Sequence, residues 1–306
     1  MIKFLKKSFL FCVVIILVIL IFQVLISLRI KNIAVSGYDN WDVTSNVDAD
    51  LVLLGSSRCW VQLDPRFFEK NYNVTTVNIG TNGHSELEAI ILRLKNYLSK
   101  NKSPKFAILS FDPFVHGKKI NAISDKNCYA RFTFLPTKNN SDLVNYFAFN
   151  NYEKYIPLYA IFKYQQLYDC ISLKNKDIFK EGFELVDKKW DTIKYPPNDN
   201  LKKYFIKKHE ISSLLVNLEN LKSICKLYKI KLLCLQTPVY KSLYIQNNFD
   251  FSKTICDSLK IDFINATYDD ITKDYNCFYN SNHLNKYGIN RFNSLLKQEN
   301  QLSTFF

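Results

Sequence analysis

A chain of 306 residues with 47% hydrophobic content is long and apolar enough for one large or two small domains, which excludes global disorder. Its net charge of +13 comes mostly from dispersed lysines, which is more typical of a solvated surface than of one that attracts anionic partners. Without an arginine-rich helix or paired zinc-knuckle cysteines, no nucleic-acid partner is expected. The eight cysteines form no C-x-x-C pair, so we interpret them as scattered core residues, with disulfides outside the cytoplasm as the alternative.

The amino terminus carries the most apolar stretch of the chain. Lys3, Lys6 and Lys7 precede an almost unbroken apolar run from Phe9 to Leu28. Roughly 20 such residues suffice to cross a bilayer as a helix. Because no small-residue cleavage pattern follows, residues 1–30 are predicted to be a retained transmembrane signal-anchor. The charge bias favours a cytoplasmic amino terminus, which would make this a single-pass protein of the cell membrane with its main domain extracytoplasmic.

A polar connector over residues 31–49 leads to a region in which strand and helix patterns alternate. Short apolar or β-branched runs that end in turn signals predict five strands, at 50–54, 74–79, 105–111, 229–236 and 261–265. Helices are predicted from Pro65 onward, with Asp64 as cap, and over 86–98, 212–227, 252–259 and 286–297. The second of these is predicted to begin at a capping box formed by Ser85 and Glu88.

This alternation predicts an α/β fold in which a parallel five-stranded sheet is flanked by helices. The single α/β domain would occupy residues 50–306. The regular pattern is lost between about residues 115 and 205, and a structureless loop of that length would be unusual, so we predict an inserted helical lid there.

Polar and small residues follow the carboxyl ends of several predicted strands, where open α/β sheets bind their ligands. They comprise Gly55-Ser56-Ser57, Gly80 to Gly83, Asp112 and Thr237-Pro238. Ser57 is a candidate nucleophile there, with capping of the next turn as the competing explanation for Ser56 and Ser57. His283, in a polar loop before the last helix, is the candidate base, and His84 is its competitor because it also lies at a strand end. The spacing of the four histidines forms no compact ligand cluster, so no metal site is expected.

Three sequence blocks, taken in order, resemble the SGNH/GDSL hydrolase superfamily. More specifically, they resemble membrane-anchored bacterial members found near cell-surface polysaccharide genes, related to the alginate- and teichoic-acid-acylation proteins. Gly55-Ser56-Ser57 matches the strand-Gly-x-Ser block, and Asn78 to Gly83 matches the Asn-x-Gly-x-x-Gly turn. Asn280 to Asn285 is similar to the final Asp-x-x-His block that is followed by Leu and Asn. The blocks span nearly the whole chain after the anchor, with the middle region unmatched.

The resemblance implies a flavodoxin-like SGNH fold with Ser57 as nucleophile and His283 as base. Ser57 and Gly83 would donate to the oxyanion. It implies neither a metal nor a cofactor. The further candidates for accessory roles are Arg58, Asn82 and Asp112.

Two departures from the family pattern bear on activity. The family has a further block after the third strand, a Gly-x-Asn whose asparagine donates to the oxyanion, but Ser110 to Phe114 contains no asparagine. In addition, Asn280 stands where the family has the catalytic aspartate. Loss of that charge in a Ser-His-Asp site can cost orders of magnitude in rate. Three alternatives follow: a slow Ser-His dyad, a substitute acid such as Asp112 or Asp269, or a protein that is catalytically weak.

The implied function is that of a membrane-anchored extracytoplasmic serine esterase or O-acyltransferase. Its substrate would be an acyl ester, such as an acetyl ester, of a cell-envelope polysaccharide. The implied partners are the membrane, the envelope glycan and a membrane-bound acyltransferase. The alternative is a catalytically weak or inactive SGNH-like subunit that binds glycan or acts as a scaffold in an envelope polysaccharide assembly.

Overall fold

The computed structural model describes residues 1–32, 47–80, 86–111, 182–197, 208–241 and 246–306. The chain divides into two compact units, Met1–Val43 with Asn121–Asp177 and Thr44–Ile120 with Ile178–Phe306. Most of the predicted lid at 115–205 lies outside the described residues, and so does most of the predicted connector. The described part of the lid region, residues 182–197, contains turns and irregular chain.

In the first unit, the described residues form helix α1 (Ile2–Asn32). The stretch Ile2–Phe22 within it is long and apolar enough to cross a membrane, and none of it is buried inside the protein. A membrane anchor and a signal sequence both have these properties. The predicted apolar helix is therefore confirmed, while its retention and orientation stay predictions.

The second unit is built on a five-stranded sheet. Its strands are β1 (Leu51–Leu54), β2 (Thr76–Asn78), β3 (Phe106–Ser110), β4 (Lys231–Gln236) and β5 (Asp262–Asn265). Their order is β2-β1-β3-β4-β5, and every neighbouring pair is parallel. This is the strand order of flavodoxin-like folds, in which the topological switch point lies between β1 and β3. The predicted α/β fold class is confirmed, although each strand is slightly shorter than predicted.

Both faces of the sheet are buried, which explains why β1 reads as a continuous apolar run rather than an alternating one. Leu51 and Leu53 are fully buried in one hydrophobic cluster, whereas Val52 and Leu54 are fully buried in another. The alternation follows from the pleat of the strand, because successive side chains point to opposite faces.

The described part of the second unit contains eight α-helices and a short 3-10 helix, Tyr275–Cys277. The α-helices are α2 (Ser57–Gln62), α3 (Pro65–Tyr72), α4 (Leu87–Leu98), α5 (Lys208–Leu227), α6 (Gln246–Ser258), α7 (Asp269–Thr272), α8 (Lys286–Leu296) and α9 (Asn300–Phe305). Helices α4, α5 and α6 supply apolar side chains to the cluster that contains Val52. Helices α2, α3, α8 and α9 supply the cluster that contains Leu51. The sheet is thus covered by helices on both faces.

Some local predictions were wrong. Helices α5 and α6 begin four and six residues earlier than predicted, because their first turns are polar and carry little of the apolar periodicity that marks a buried face. Helix α4 is capped by Glu86 without a side-chain hydrogen bond, in place of the predicted Ser85 capping box. The predicted polar loop around His283 contains a short antiparallel pair, β6 (Phe278–Asn280) with β7 (His283–Leu284).

The described cysteines are in the reduced thiol form: Cys12, Cys59, Cys225, Cys234, Cys256 and Cys277. All except Cys12 are buried. Burial raises the pKa of the Cys225 thiol to about 12, which keeps it protonated and unreactive. These five cysteines therefore act as small core residues.

Candidate active site

The chain turns at Gly55, directly after the end of β1. Gly55 has a φ of +148°, and a Cβ placed there would lie 2.7 Å from the Cβ of Cys59 and 3.0 Å from that of Ser110. Only glycine fits such a position without strain. The chain therefore leaves the strand and enters α2 within two residues, and Ser57 becomes the first residue of that helix. This position lies beyond the carboxyl end of β1, beside the topological switch point of the sheet.

Ser56 and Ser57 have different contacts. Ser56 is buried, and its Oγ accepts a hydrogen bond from the backbone N–H of Arg58 at 3.3 Å, which makes it the N-cap of α2. The Oγ of Ser57 instead lies 2.9 Å from Nε2 of His283. Capping thus accounts for Ser56 alone, and the contact of Ser57 with His283 needs another explanation.

Asn280 fixes the tautomer of His283. Its Oδ1 lies 2.9 Å from Nδ1 of the imidazole, and it also accepts the backbone N–H groups of Asn282 at 2.9 Å and His283 at 3.0 Å. Because backbone N–H groups only donate, the amide must present its oxygen here and not its NH₂ group. The imidazole therefore carries its proton on Nδ1, and Nε2 accepts the hydroxyl proton of Ser57.

The imidazole is partly buried and lies beside a stacked ring. Tyr279 packs face to face against His283, with ring centroids 5.4 Å apart and planes inclined by 8°. Burial and the positive charge of Arg58 lower the pKa of His283 to about 3, so the ring is uncharged at neutral pH. Burial and the nearby Glu184 raise the pKa of the Tyr279 hydroxyl, so this neighbour is neutral too.

Among the described residues, no carboxylate contacts His283. Asp269, one of the two acids considered as substitutes, is exposed and pairs with Lys273 at 2.6 Å at the start of α7. The interpretation of Asp269 as a replacement acid was therefore wrong. The other candidate, Asp112, lies outside the described residues, as do Asn82, Gly83 and the competing His84.

Arg58, a predicted accessory residue, is 3% exposed and reaches across to the end of β4. Its Nη2 donates to the carbonyl oxygen of Thr237 at 2.5 Å, to Thr237 Oγ1 at 2.8 Å and to the carbonyl oxygen of Pro238 at 3.1 Å. The sequence placed Thr237 and Pro238 at a strand end but did not predict that Arg58 holds them.

Asn78 was also missed as a contributor to the site. Its Nδ2 donates to the carbonyl oxygens of Cys59 and Leu63 at 2.8 Å each, and its Oδ1 accepts the N–H of Gly80 at 2.9 Å. This buried amide ties α2 to the start of the second loop. Its place as the first residue of the second sequence block was the available signal.

Ser57, His283 and Asn280 together form a hydrogen-bonded chain in which each proton position is defined. Such an arrangement can transfer a hydroxyl proton to an imidazole and return it to a leaving group. Among the described residues, there is no group of three or more His, Cys, Asp or Glu side chains that could hold a metal ion.

A comparison with solved structures finds several similar chains. One is a protein from Bacteroides fragilis assigned provisionally as an acylhydrolase, with 12% identity and a TM-score of 0.38 over 84% of this chain and 88% of that one. A GDSL-like lipase from Bacteroides thetaiotaomicron has 12% identity and a TM-score of 0.35 over 81% of this chain and 85% of that one, and a protein from Streptococcus pneumoniae assigned provisionally as a platelet activating factor has 11% identity and a TM-score of 0.40 over 97% of this chain and 99% of that one. No protein-family model and no curated protein matches the chain. Two of the descriptions name the class of enzyme that the sequence resembles, but identities and TM-scores this low establish no activity for this chain.

Proposed function

We propose that this protein is an SGNH-type serine esterase or O-acyltransferase, anchored in the cell membrane with its α/β domain outside the cytoplasm. Its substrate is an acyl ester, such as an acetyl ester, of a cell-envelope polysaccharide. The single observation that carries the catalytic part is the 2.9 Å contact between Ser57 Oγ and His283 Nε2, made by an imidazole whose Nδ1 proton is held by Asn280.

The reaction follows from this hydrogen-bond chain. Ser57 Oγ attacks the acyl carbonyl carbon while its proton moves to Nε2 of His283, which gives a tetrahedral oxyanion and an imidazolium. Collapse of the oxyanion breaks the bond to the sugar oxygen, which takes the proton back from Nε2 and leaves as a hydroxyl. The acyl-Ser57 ester is then attacked by water in hydrolysis, or by another sugar hydroxyl in transfer, with His283 again as base.

The oxyanion needs donors that are fixed in advance. The backbone N–H of Ser57 belongs to the first turn of α2, where N–H groups have no acceptor within the helix. We propose it as one donor and the N–H of Gly83 as the second.

Asn280 does part of the work of the usual aspartate. In a Ser-His-Asp site the acid keeps the imidazole in the correct tautomer and stabilises the imidazolium. The orientation of the Asn280 oxygen provides the first of these effects. It cannot provide the second, because an amide carries no charge. We therefore expect an active but slow enzyme.

The location and the substrate class rest on the amino-terminal helix and on the sequence resemblance. An amino terminus inside the cell would place the second unit where envelope glycans are assembled, and a membrane-bound acyltransferase could supply the acyl group there. Fusion of alkaline phosphatase to the carboxyl terminus of the full chain tests the orientation. An active phosphatase is expected, and an inactive one would contradict the extracytoplasmic location.

A second candidate function is that of an inactive glycan-binding or scaffold subunit. The observation that favours it is the combination of an uncharged Asn280 with an imidazole whose pKa is lowered to about 3, since both features weaken the base. The protein would then bind envelope polysaccharide through the same fold without turnover.

One experiment separates the two functions. The full chain, purified in detergent, is incubated with an O-acetylated polysaccharide, and both free acetate and acetyl transfer to an added oligosaccharide are measured. Release or transfer that is lost in Ser57→Ala supports the enzyme. Binding of the polysaccharide with no Ser57-dependent release or transfer would exclude it and leave the scaffold.

A further inference from the structure

The short helix that carries Ser57 is fastened to residues 237–240, which we call the bridging segment. Arg58 makes three hydrogen bonds to Thr237 and Pro238 in this segment. Gln62, four residues later on the same face of α2, donates from Nε2 to the carbonyl oxygen of Pro238 at 3.3 Å. Both side chains are buried, so these contacts are shielded from water.

The other end of the bridging segment is fastened to the hairpin that carries His283. The backbone N–H of Tyr240 donates to the carbonyl oxygen of Ser281 at 3.1 Å. The ring of Tyr240 packs edge-on against Phe278, the first residue of β6, with centroids 5.9 Å apart. Gln62 also reaches the hairpin directly, through a 3.1 Å hydrogen bond to the carbonyl oxygen of Asn282.

Ser57 and His283 are 226 residues apart in sequence and lie on two short elements that carry little structure of their own. Helix α2 has six residues, and the hairpin has strands of three and two residues. Elements this short depend on tertiary contacts for their position. The contacts through the bridging segment are therefore suited to set the distance between the serine oxygen and the imidazole.

We propose that Arg58 and Gln62 are positioning residues, which clamp the nucleophile helix to the bridging segment and the histidine hairpin and so hold Ser57 within hydrogen-bond reach of His283. The inference rests on the proposed function, since it concerns the same serine and histidine. Neither side chain touches the reacting atoms. Their effect is on the geometry, and a displacement of about 1 Å in an active site can lower the rate by about 100-fold.

Arg58 has a second effect that distinguishes it from Gln62. Its positive charge disfavours protonation of His283 and adds to burial in lowering the pKa of the imidazole. The other groups around the ring are the neutral Asn280, the stacked Tyr279 and, beyond it, Glu184. Among the described residues, Arg58 is therefore the cation that affects this imidazole. Its removal should raise the pH at which the rate falls on the acidic side of the profile, which we call the acidic limb.

Three variants of the full chain test the proposal: Gln62→Met, Arg58→Lys and Arg58→Met. Arg66→Met and Gln298→Met are the matched controls, since these residues lie on α3 and beyond the end of α8, outside the clamp. Hydrolysis of p-nitrophenyl acetate is followed from pH 3 to 9, and kcat is expressed per folded molecule by circular dichroism. We expect all three clamp variants to lose about 10- to 100-fold in kcat with little change in KM, and the controls to retain kcat.

The pH dependence of kcat distinguishes the positioning effect of Arg58 and Gln62 from the effect of the Arg58 charge on the pKa of His283. Arg58→Lys keeps the charge and should keep the acidic limb, whereas Arg58→Met should move that limb upward, and Gln62→Met should leave it in place. If the wild type shows Ser57-dependent turnover but Gln62→Met and Arg58→Lys retain its kcat, the proposed positioning role is overturned and the proposed function is not. Absence of Ser57-dependent turnover in the wild type would overturn the proposed function, and this inference with it.

Discussion

The nucleophile block (residues 55–62) and the histidine hairpin (Phe278–Leu284) supply the two halves of the candidate site by different physical means. The nucleophile block follows a buried interior strand of the sheet, and the turn at Gly55, which only glycine adopts without strain, sets its direction. The hairpin is partly buried and is organised by the side chain of Asn280, which accepts two backbone N–H groups and the imidazole Nδ1–H. The first half is fixed by the core, and within the second half a local hydrogen-bond network orients the imidazole.

The two halves show that the site keeps the geometry of a serine hydrolase but lacks the negative charge beside the imidazole. On the Ser57 side, every feature agrees with a serine hydrolase: the strand end, the capped turn and the contact with Nε2. On the far side of the imidazole, the geometry is retained but the negative charge is missing. The site is thus organised for proton transfer, with weak stabilisation of the protonated base. Changes to each half should therefore have distinct effects.

The largest effect on turnover is expected from His283→Asn, which removes the proton acceptor of Ser57. We expect kcat for p-nitrophenyl acetate to fall by about 1,000-fold or more, as it does when a serine hydrolase loses its catalytic base. Thermal unfolding monitored by circular dichroism should change little, because the hairpin keeps its hydrogen bonds to Asn280, Tyr240 and Gln62. A loss of less than about 10-fold would show that His283 is not the base.

A substitution at Gly55 should destabilise the turn that directs the nucleophile block. Gly55→Ala forces an L-residue into a φ of +148° and brings a Cβ to 2.7 Å from that of Cys59. We expect the free energy of unfolding to fall by roughly 3 kcal/mol, from backbone strain and overpacking together. The neighbouring Ser56→Ala removes only the N-cap and should cost about 1 kcal/mol. Chemical denaturation measures both, and an equal loss in the two variants would contradict the requirement for glycine in this turn.

A negative charge at position 280 of the histidine hairpin should increase the rate of catalysis. Asn280→Asp keeps an oxygen facing Nδ1 and the two backbone N–H groups, and it adds a negative charge that stabilises the imidazolium. Since the tautomer is already correct, we expect a gain of about 10- to 100-fold in kcat/KM, smaller than the approximately 10,000-fold effect seen where the tautomer also changes. Steady-state kinetics of esterolysis measure it. Asn280→Leu, which loses the oxygen, is the control and should be slower than the wild type.

The smallest effect is the position of the acidic limb in the pH profile of the wild type. His283 must be unprotonated to act as a base, and activity is lost as the pH falls through its pKa. Burial and Arg58 lower that pKa to about 3, below the usual value for histidine, so kcat/KM should stay nearly constant from pH 7 down to about pH 4. A half-point near pH 6.5 would show that the imidazole is more exposed than the structure indicates. In Asn280→Asp the pKa of His283 should rise because the added negative charge favours the imidazolium, so the acidic limb should move to higher pH.

The sequence predicted the sheet well because parallel strands buried on both faces leave an unmistakable pattern. Val52 and Leu54 face one set of helices while Leu51 and Leu53 face another, so all four must be apolar. Asp64 and Pro65 likewise define the start of α3 through local chemistry that needs no tertiary context. These features could be predicted because each depends on neighbours in sequence.

The details of the site could not be predicted in the same way. The segment from Tyr279 to Asn282 is polar and reads as a loop, and its pairing with His283 depends on where the Asn280 side chain points. The contacts of Arg58 and Gln62 with Pro238 join residues more than 170 positions apart. No local pattern encodes such contacts. The sequence therefore predicted which residues meet at the strand ends but not which of them hold the others in place.

The central claim is that Ser57 is activated by His283, and covalent labelling of the full chain with a fluorophosphonate probe tests it most directly. The phosphonate reacts with serines that are activated by a base, and peptide mass spectrometry identifies the modified residue. We expect a single adduct on Ser57 in the wild type, slower labelling in His283→Asn, and no adduct in Ser57→Ala. Absence of labelling in the folded wild type, or equal labelling in His283→Asn, would contradict the account.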